Sequence, residues 1–143
     1  MKRLEALAPL SRDHHQTLIL AQLLKKGASA YKGLPVSAKG KITYAQEQFE
    51  KEIRNHFIKE EEVLAMATGC HESIHKLATG IKNEHRELAE LFHSLGSAGD
   101  ETAMHELGSK LEAHVRKEER ELFPLLQQHC SGPMLESIYR LLH

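Results

Sequence analysis

Apolar residues recur every three or four positions through four long stretches of the chain, and nowhere is the alternation of a half-buried strand sustained. The first stretch covers about residues 9–30 and ends near Lys32-Gly33-Leu34-Pro35. The second covers about 37–67 and is closed by Thr68-Gly69. The third spans about 70–95, before Gly96-Ser97-Ala98-Gly99. The fourth starts behind Asp100, a good N-cap residue, and continues to about 128. Pro124 lies inside it and predicts a kink or a looser last turn. Ser131-Gly132-Pro133 opens a short fifth helix through Leu142. Four helices with short connections predict an all-α, up-down-up-down four-helix bundle with a short C-terminal fifth helix, one domain over residues 1–143.

The stripe expected to face inward can be written for each helix. It is Leu7, Leu10, His14, Thr17, Ala21, Leu24 on the first, and Ala45, Phe49, Ile53, His56, Glu60, Val63, Ala67 on the second. It is Ile74, Ala78, Ile81, His85, Leu88, Phe92, Leu95 on the third, and Met104, Leu107, Leu111, His114, Glu118, Leu122, Leu125 on the fourth. Each stripe carries one His among apolar residues, and two add a Glu. Ionised Glu is rare on a core seam unless it is paired or bound to a metal.

Those two Glu belong to a repeated phrase. His56-Phe57-Ile58-Lys59-Glu60-Glu61-Glu62-Val63-Leu64 recurs as His114-Val115-Arg116-Lys117-Glu118-Glu119-Arg120-Glu121-Leu122. Residues four apart share a helix face, so each phrase aims an imidazole and a carboxylate at one point. The axial levels agree. His14 lies 17 residues before Tyr31 and His56 lies 20 after Val36, while His85 is 11 before Gly96 and His114 is 15 after Gly99. Each hairpin therefore sets its two histidines within about one turn of each other. The chain reads as two helical hairpins related by a pseudo-two-fold axis.

Four imidazoles and two carboxylates suit two transition ions, each with two His and with Glu60 and Glu118 bridging. Mixed N/O donors favour iron or manganese over magnesium or calcium, and the lack of thiolates argues against a closed structural zinc. Glu61 and Glu119 read as outer or surface partners of the site, and Lys59 and Lys117 as solvated. A bare His-x-x-x-Glu arises roughly once by chance in such a composition. The weight rests on the repetition and on Asp13-His14 and Glu84-His85 at matching places. His14 has the apolar seam around it, whereas the adjacent His15 shares a face with Ser11, Gln22 and Lys25. His14 is the expected ligand and His15 the alternative.

Asp13-His14, His56-x-x-x-Glu60, Glu84-His85-Arg86-Glu87-Leu88 and His114-x-x-x-Glu118 together resemble the hemerythrin-like HHE cation-binding domain, from about residue 10 to 129. The exit from the fourth helix, Glu119-Arg120-Glu121-Leu122-Phe123-Pro124, is also similar. The resemblance implies a non-haem di-iron centre, two iron ions with an oxo or hydroxo bridge, for which manganese or zinc can substitute. It implies binding or sensing of dioxygen, nitric oxide or a related small oxidant, peroxide included. The enzymatic alternative is a di-iron protein of oxygen or peroxide handling or of iron-sulfur repair. A zinc-binding or metal-storage module stands behind both. Oxygen-carrying members have a second His four residues after the third-helix ligand, where this chain has Ala89. That departure argues against simple reversible oxygen carriage. Binding is favoured over catalysis, and whether there is turnover stays open.

His71-Glu72-Ser73-Ile74-His75 fits H-E-x-x-H, a zinc-protease phrase. About one chain in ten of this His and Glu content has it by chance. Ile74, not either His, occupies the seam, and no strand is available to align a peptide. His93, two turns past His85, reads as a surface or loop-proximal residue, and His71, His75, His105, His129 and His143 as surface or helix-end groups. Lys plus Arg number 19 against 20 Asp plus Glu, which offers no field for nucleic acid. No apolar run approaches a membrane span, and no secretory h-region follows Met1-Lys2-Arg3. A cytoplasmic setting is expected, in which Cys70 and Cys130 are free thiols by default. No protein partner is legible.

Overall fold

The computed structural model describes residues 5–98 and 100–143; the side chains of Ser97 and Ala98, and Gly99 and residues 1–4 altogether, fall outside the description. Among the described residues there are helices and turns and no strand. A short 3-10 turn, Glu5–Leu7, leads into α1 (Ala8–Leu24). Then follow α2 (Ala38–Gln48), α3 (Arg54–Ala67), α4 (Glu72–Ala98), α5 (Glu101–Lys117), α6 (Phe123–His129) and α7 (Gly132–Leu142). A π turn, Phe49–Ile53, joins α2 to α3 as one rod, and a second, Glu118–Leu122, joins α5 to α6.

The rod ends follow local chemistry. Ser37 Oγ accepts from the Gly40 amide at the start of α2, and Asp100 Oδ1 accepts from the Ala103 amide at the start of α5. Ser131 does the same for α7. α1 is shorter than its periodicity predicts. It stops at Leu24, where Lys25 turns extended, and Gly27 and Gly33 take φ of 74° and 82°, conformations that other residues rarely adopt. His14 is then ten residues from the end of α1, while His56 is 18 from the start of α2. The non-helical loop of residues 25–37 spans the difference, about 12 Å along the axis.

Every residue of the first three predicted stripes is buried. On the fourth, the stripe holds to Leu122 and then fails. Leu126 is fully buried, whereas Leu125 is only partly so. The π turn at Glu118–Leu122 inserts one extra residue and moves the inward face on by one position. Pro124 sits in the first turn of α6, directly after that turn, where its missing N–H is least costly. No kink beyond the π turn is needed.

α1 packs chiefly on α5, α4 on α5, and α3 on α4, while α7 covers the 3-10 turn and one end of α3. Gly108 lets α1 and α5 close up, since a Cβ there would stand 2.6 Å from the Ala21 carbonyl oxygen. The interior is two apolar clusters. One contains Leu10, Val63, Ile81, Leu122 and Phe123; the other contains Leu20, Phe49, Phe57, Leu88 and Leu111. His14, His56, His85 and His114 lie between these two sets along their helices, with Glu60 and Glu118. No helix among the described residues is long and apolar enough to cross a membrane.

Candidate metal centre

The layer between the two clusters is polar and nearly dry. His14, His56, Glu60, His85, His114 and Glu118 are each no more than 5% exposed. They form two donor groups, His14, His56, Glu60, Glu118 and Glu60, His85, His114, Glu118, whose ligand atoms lie within 4.8 Å of one another. Both carboxylates belong to both groups. Glu60 approaches the Nε2 atoms of His56 and His85 at 3.0 Å and that of His14 at 3.4 Å. Glu118 approaches Nε2 of His14 at 3.0 Å and of His114 at 3.3 Å. The sequence places His14 and His56, and His85 and His114, at common levels; their rings lie 4.9 Å apart in each pair.

These close approaches are only partly hydrogen bonds. His56 Nε2, Glu60 Oε2, His114 Nε2 and Glu118 Oε2 are buried without a hydrogen-bond partner, although nitrogen and oxygen stand about van der Waals distance apart or closer. Orphaned polar atoms inside a core cost roughly 1–3 kcal/mol each. Atoms that crowd together without facing one another are aimed at a common third point, the geometry a cation requires. The donor set, imidazole nitrogen plus carboxylate oxygen without thiolate, fits a first-row transition ion.

The outer ring nitrogens explain the aim. Each imidazole donates its Nδ1–H to an acid that is not one of the two central ones. His14 donates to Glu119 (2.6 Å), His56 to Asp13 (2.9 Å), His85 to Glu61 (2.8 Å) and His114 to Glu84 (2.7 Å). A proton held at Nδ1 leaves the Nε2 lone pair pointing inward, and the acid fixes the ring plane. Glu119 also accepts from Ser11 Oγ, and Glu84 from Lys117 Nζ at 2.6 Å. Lys117 is thus engaged rather than solvated as its sequence position suggests. Rings close the flanks. Phe57 stacks on His85 at 4.0 Å, and Phe123 lies parallel to His14 at 5.5 Å.

With no cation present, burial and charge contend over the protons. Burial lowers the His14 pKa, but Glu118, Glu119 and Glu60 overcome it and carry it to about 12. His56 is lowered by burial and carried to about 9 by the charge of Glu60 and the Asp13 hydrogen bond. His85 is raised, the Glu60 contact outweighing burial. Of the two central acids, burial and the charge of Glu60 hold Glu118 up at about 7. Glu60 lies well below the carboxylate range because His56, His14 and His85 outweigh its burial. Two like charges in one dry layer separate in this way, and a divalent ion would replace the protons.

His15 is exposed and lies outside the cluster, so the α1 residue brought to it is His14. Ala89 packs beside the apolar cluster containing Leu88. The H-E-x-x-H residues are not gathered. His71, Glu72 and His75 are exposed, and neither donor group among the described residues includes them. His93 is exposed against Phe49. Sequence reasoning missed Asp13 and Glu84 as ring anchors, and Phe57 and Phe123 as walls. The usable signal was an acid immediately before each first-hairpin-helix His.

No curated protein and no solved structure matches the chain. The model of the Hemerythrin HHE cation binding domain matches residues 6–131, and so nearly the whole chain, including every residue of both donor groups, belongs to the hemerythrin HHE cation-binding family.

Proposed function

We propose that this is a non-haem di-iron protein that binds or senses dioxygen, nitric oxide or a related small oxidant. One iron is held by His14, His56, Glu60 and Glu118, the other by Glu60, His85, His114 and Glu118. The observation that carries the reading is the sharing of both buried carboxylates by two donor groups, each with two inward Nε2 atoms. The rods containing α1, α3, α4 and α5 are taken as an up-down-up-down bundle that forms one domain around this layer. Two irons supply reversible electron transfer and open coordination positions for a small ligand. The protein's part is to orient the imidazoles through their Nδ1 anchors, to bridge through Glu60 and Glu118, and to keep the layer dry.

Access for a ligand is supported on the α1–α2 side. A cleft of about 430 Å³ opens there, and Asp13, Thr17, Tyr44, Gln48 and His56 are among the residues that line it. Ala89, where the carriers have a second His, favours the second reading, a di-iron enzyme of peroxide or oxygen handling, because the position using His85 and His114 would have fewer protein ligands and more room for an external reactant.

The test is to purify the protein anaerobically with iron, count metal, and record visible spectra before and after air and nitric oxide. About two irons per chain and reversible spectral change are expected. Peroxide consumption over many turnovers would select the enzymatic reading. Iron near zero, or a Glu60→Ala/Glu118→Ala double variant that is folded and keeps its iron, would refute both.

A further inference from the structure

Beyond the metal layer, at the end of the molecule covered by α7, the two cysteines of the chain meet. Cys70 follows α3 and Cys130 follows α6, so each hairpin delivers one thiol to the same end. Cys130 is buried in the cluster of Val63, Leu64, Leu126 and Ile138, and Cys70 packs against the same cluster beside it. Their sequence neighbours meet as well: the rings of His71 and His129 stack at 3.8 Å and 20°. Cys70 is partly exposed, whereas Cys130 is 7% exposed.

We propose that Cys70 and Cys130 form a redox-active dithiol that a hydroperoxide converts to an intrachain disulfide joining the two hairpins. The Cys70 thiolate attacks the peroxide oxygen, the O–O bond breaks, and sulfenic acid and hydroxide (alkoxide from an alkyl hydroperoxide) result. Cys130 sulfur then attacks the Cys70 sulfur; the S–O bond breaks, the S–S bond forms, and the Cys130 proton leaves with the hydroxyl as water. Two thiols are oxidised and one peroxide is reduced. The order follows from exposure. Burial, and then the neighbouring Cys70, push the Cys130 thiol up to about 12, so it stays protonated until a partner sulfur is in place.

A four-residue metal site is the competing use of Cys70, His71, His129 and Cys130. The stacked rings disfavour it, and His71 Nδ1 already accepts the Ser73 amide. These four also form no donor group among the described residues. Cys70 lies ten residues past Glu60 and Cys130 twelve past Glu118, each beyond the end of its helix and so at least about 10 Å along the axis, so the pair's chemistry is separable from the metal centre.

The test treats the reduced full chain, with and without iron, with stoichiometric hydrogen peroxide, then alkylates, digests and weighs the peptides. Thiols should fall from two per chain to none, with the Cys70 and Cys130 peptides joined and a reductant restoring both. Cys130→Ser should lose the link and accumulate a Cys70 sulfenic acid that dimedone traps. In Cys70→Ser, the remaining thiol should oxidise at least about tenfold more slowly than Cys70 does in the parent. Two free thiols after excess peroxide, a link only between chains, or sulfinic acid at Cys70 without a link would overturn the proposal. So would zinc that protects both thiols in the parent and fails to in His71→Ala.

Discussion

Glu84→Gln should weaken one of the two metal positions and spare the other. Glu84 accepts the His114 Nδ1–H at 2.7 Å and the Lys117 ammonium at 2.6 Å. Its carboxyl is held at about 2, first by the His114 hydrogen bond and then by Lys117, against burial. Against the ordinary value of 4.5 this corresponds to an upper bound of about 3–4 kcal/mol. Glu84 is 31% exposed, so solvent screens part of that, and Lys117 takes a share. Loss of an imidazole's outer acid typically costs 10–100-fold in metal affinity. The discount places Glu84→Gln in the lower half, roughly ten- to thirtyfold. The amide keeps the shape, so the fold is preserved. Anaerobic competition with a chromophoric chelator resolves the two steps. The position using His85 and His114 should weaken by that factor, and the one using His14 and His56 should change less than about threefold. Equal weakening of both steps, or none, would refute the assignment of Glu84 as the anchor of one half.

The remaining predictions concern packing and protons. Leu126→Ala should cost about 2–5 kcal/mol in urea denaturation and Leu125→Ala about 1, because the π turn turns Leu126 inward; equal costs would deny the phase shift. Gly108→Ala should destabilise, although Ala in a helix is normally better by roughly 1 kcal/mol, since its Cβ would meet the Ala21 carbonyl oxygen at 2.6 Å; a raised Tm would refute the close approach of α1 and α5. The metal-free chain should lose stability as pH rises from 6.5 through 9. His56 is raised from 6.5 to about 9, so its contribution is complete below 6.5 and vanishes above its folded value. The metal-loaded chain should lack that decline, and loading at pH 7 should release protons measurable in weakly buffered solution. A flat metal-free profile would count against it.

What the sequence conveyed was the inward face, and what it withheld was its phase. Periodicity marks a stripe because apolar residues three or four apart gain from the same core. It cannot register an extra residue inserted in mid-helix, so Leu125 looked interior where Leu126 is. The π turn itself spans Glu118, an acid shared by both donor groups, and Phe123 follows it to lie against His14. The end of α1 was obscured for a related reason. Ala28 and Ala30 continue a helical pattern that has already ended at the extended Lys25, with Gly27 at positive φ behind it.

The His/Glu layer, with Glu61 and Glu119 as outer partners, was legible because charge on a seam demands an explanation, whereas the anchoring by Asp13 and Glu84 was not, because an acid off the seam demands none. Asp13 is 54% exposed and reads as ordinary surface. Its role arises only between helices, and the four anchors follow one rule. Asp13 and Glu84 precede the His of their own helix and reach the His of the next one, His56 and His114. Glu61 and Glu119 follow the central acids and cross to the other hairpin, to His85 and His14. The α1, α3 and α4 helices, and the rod that runs from α5 into the second π turn, each contribute one imidazole and one outer acid, so the anchoring closes as a ring, α1 to α3 to α4 to α5 and back. No helix can shift alone without releasing an imidazole it holds and the one it presents. Rigidity of the layer is therefore shared among the helices, and the two crosswise links tie the hairpins together at the His/Glu layer.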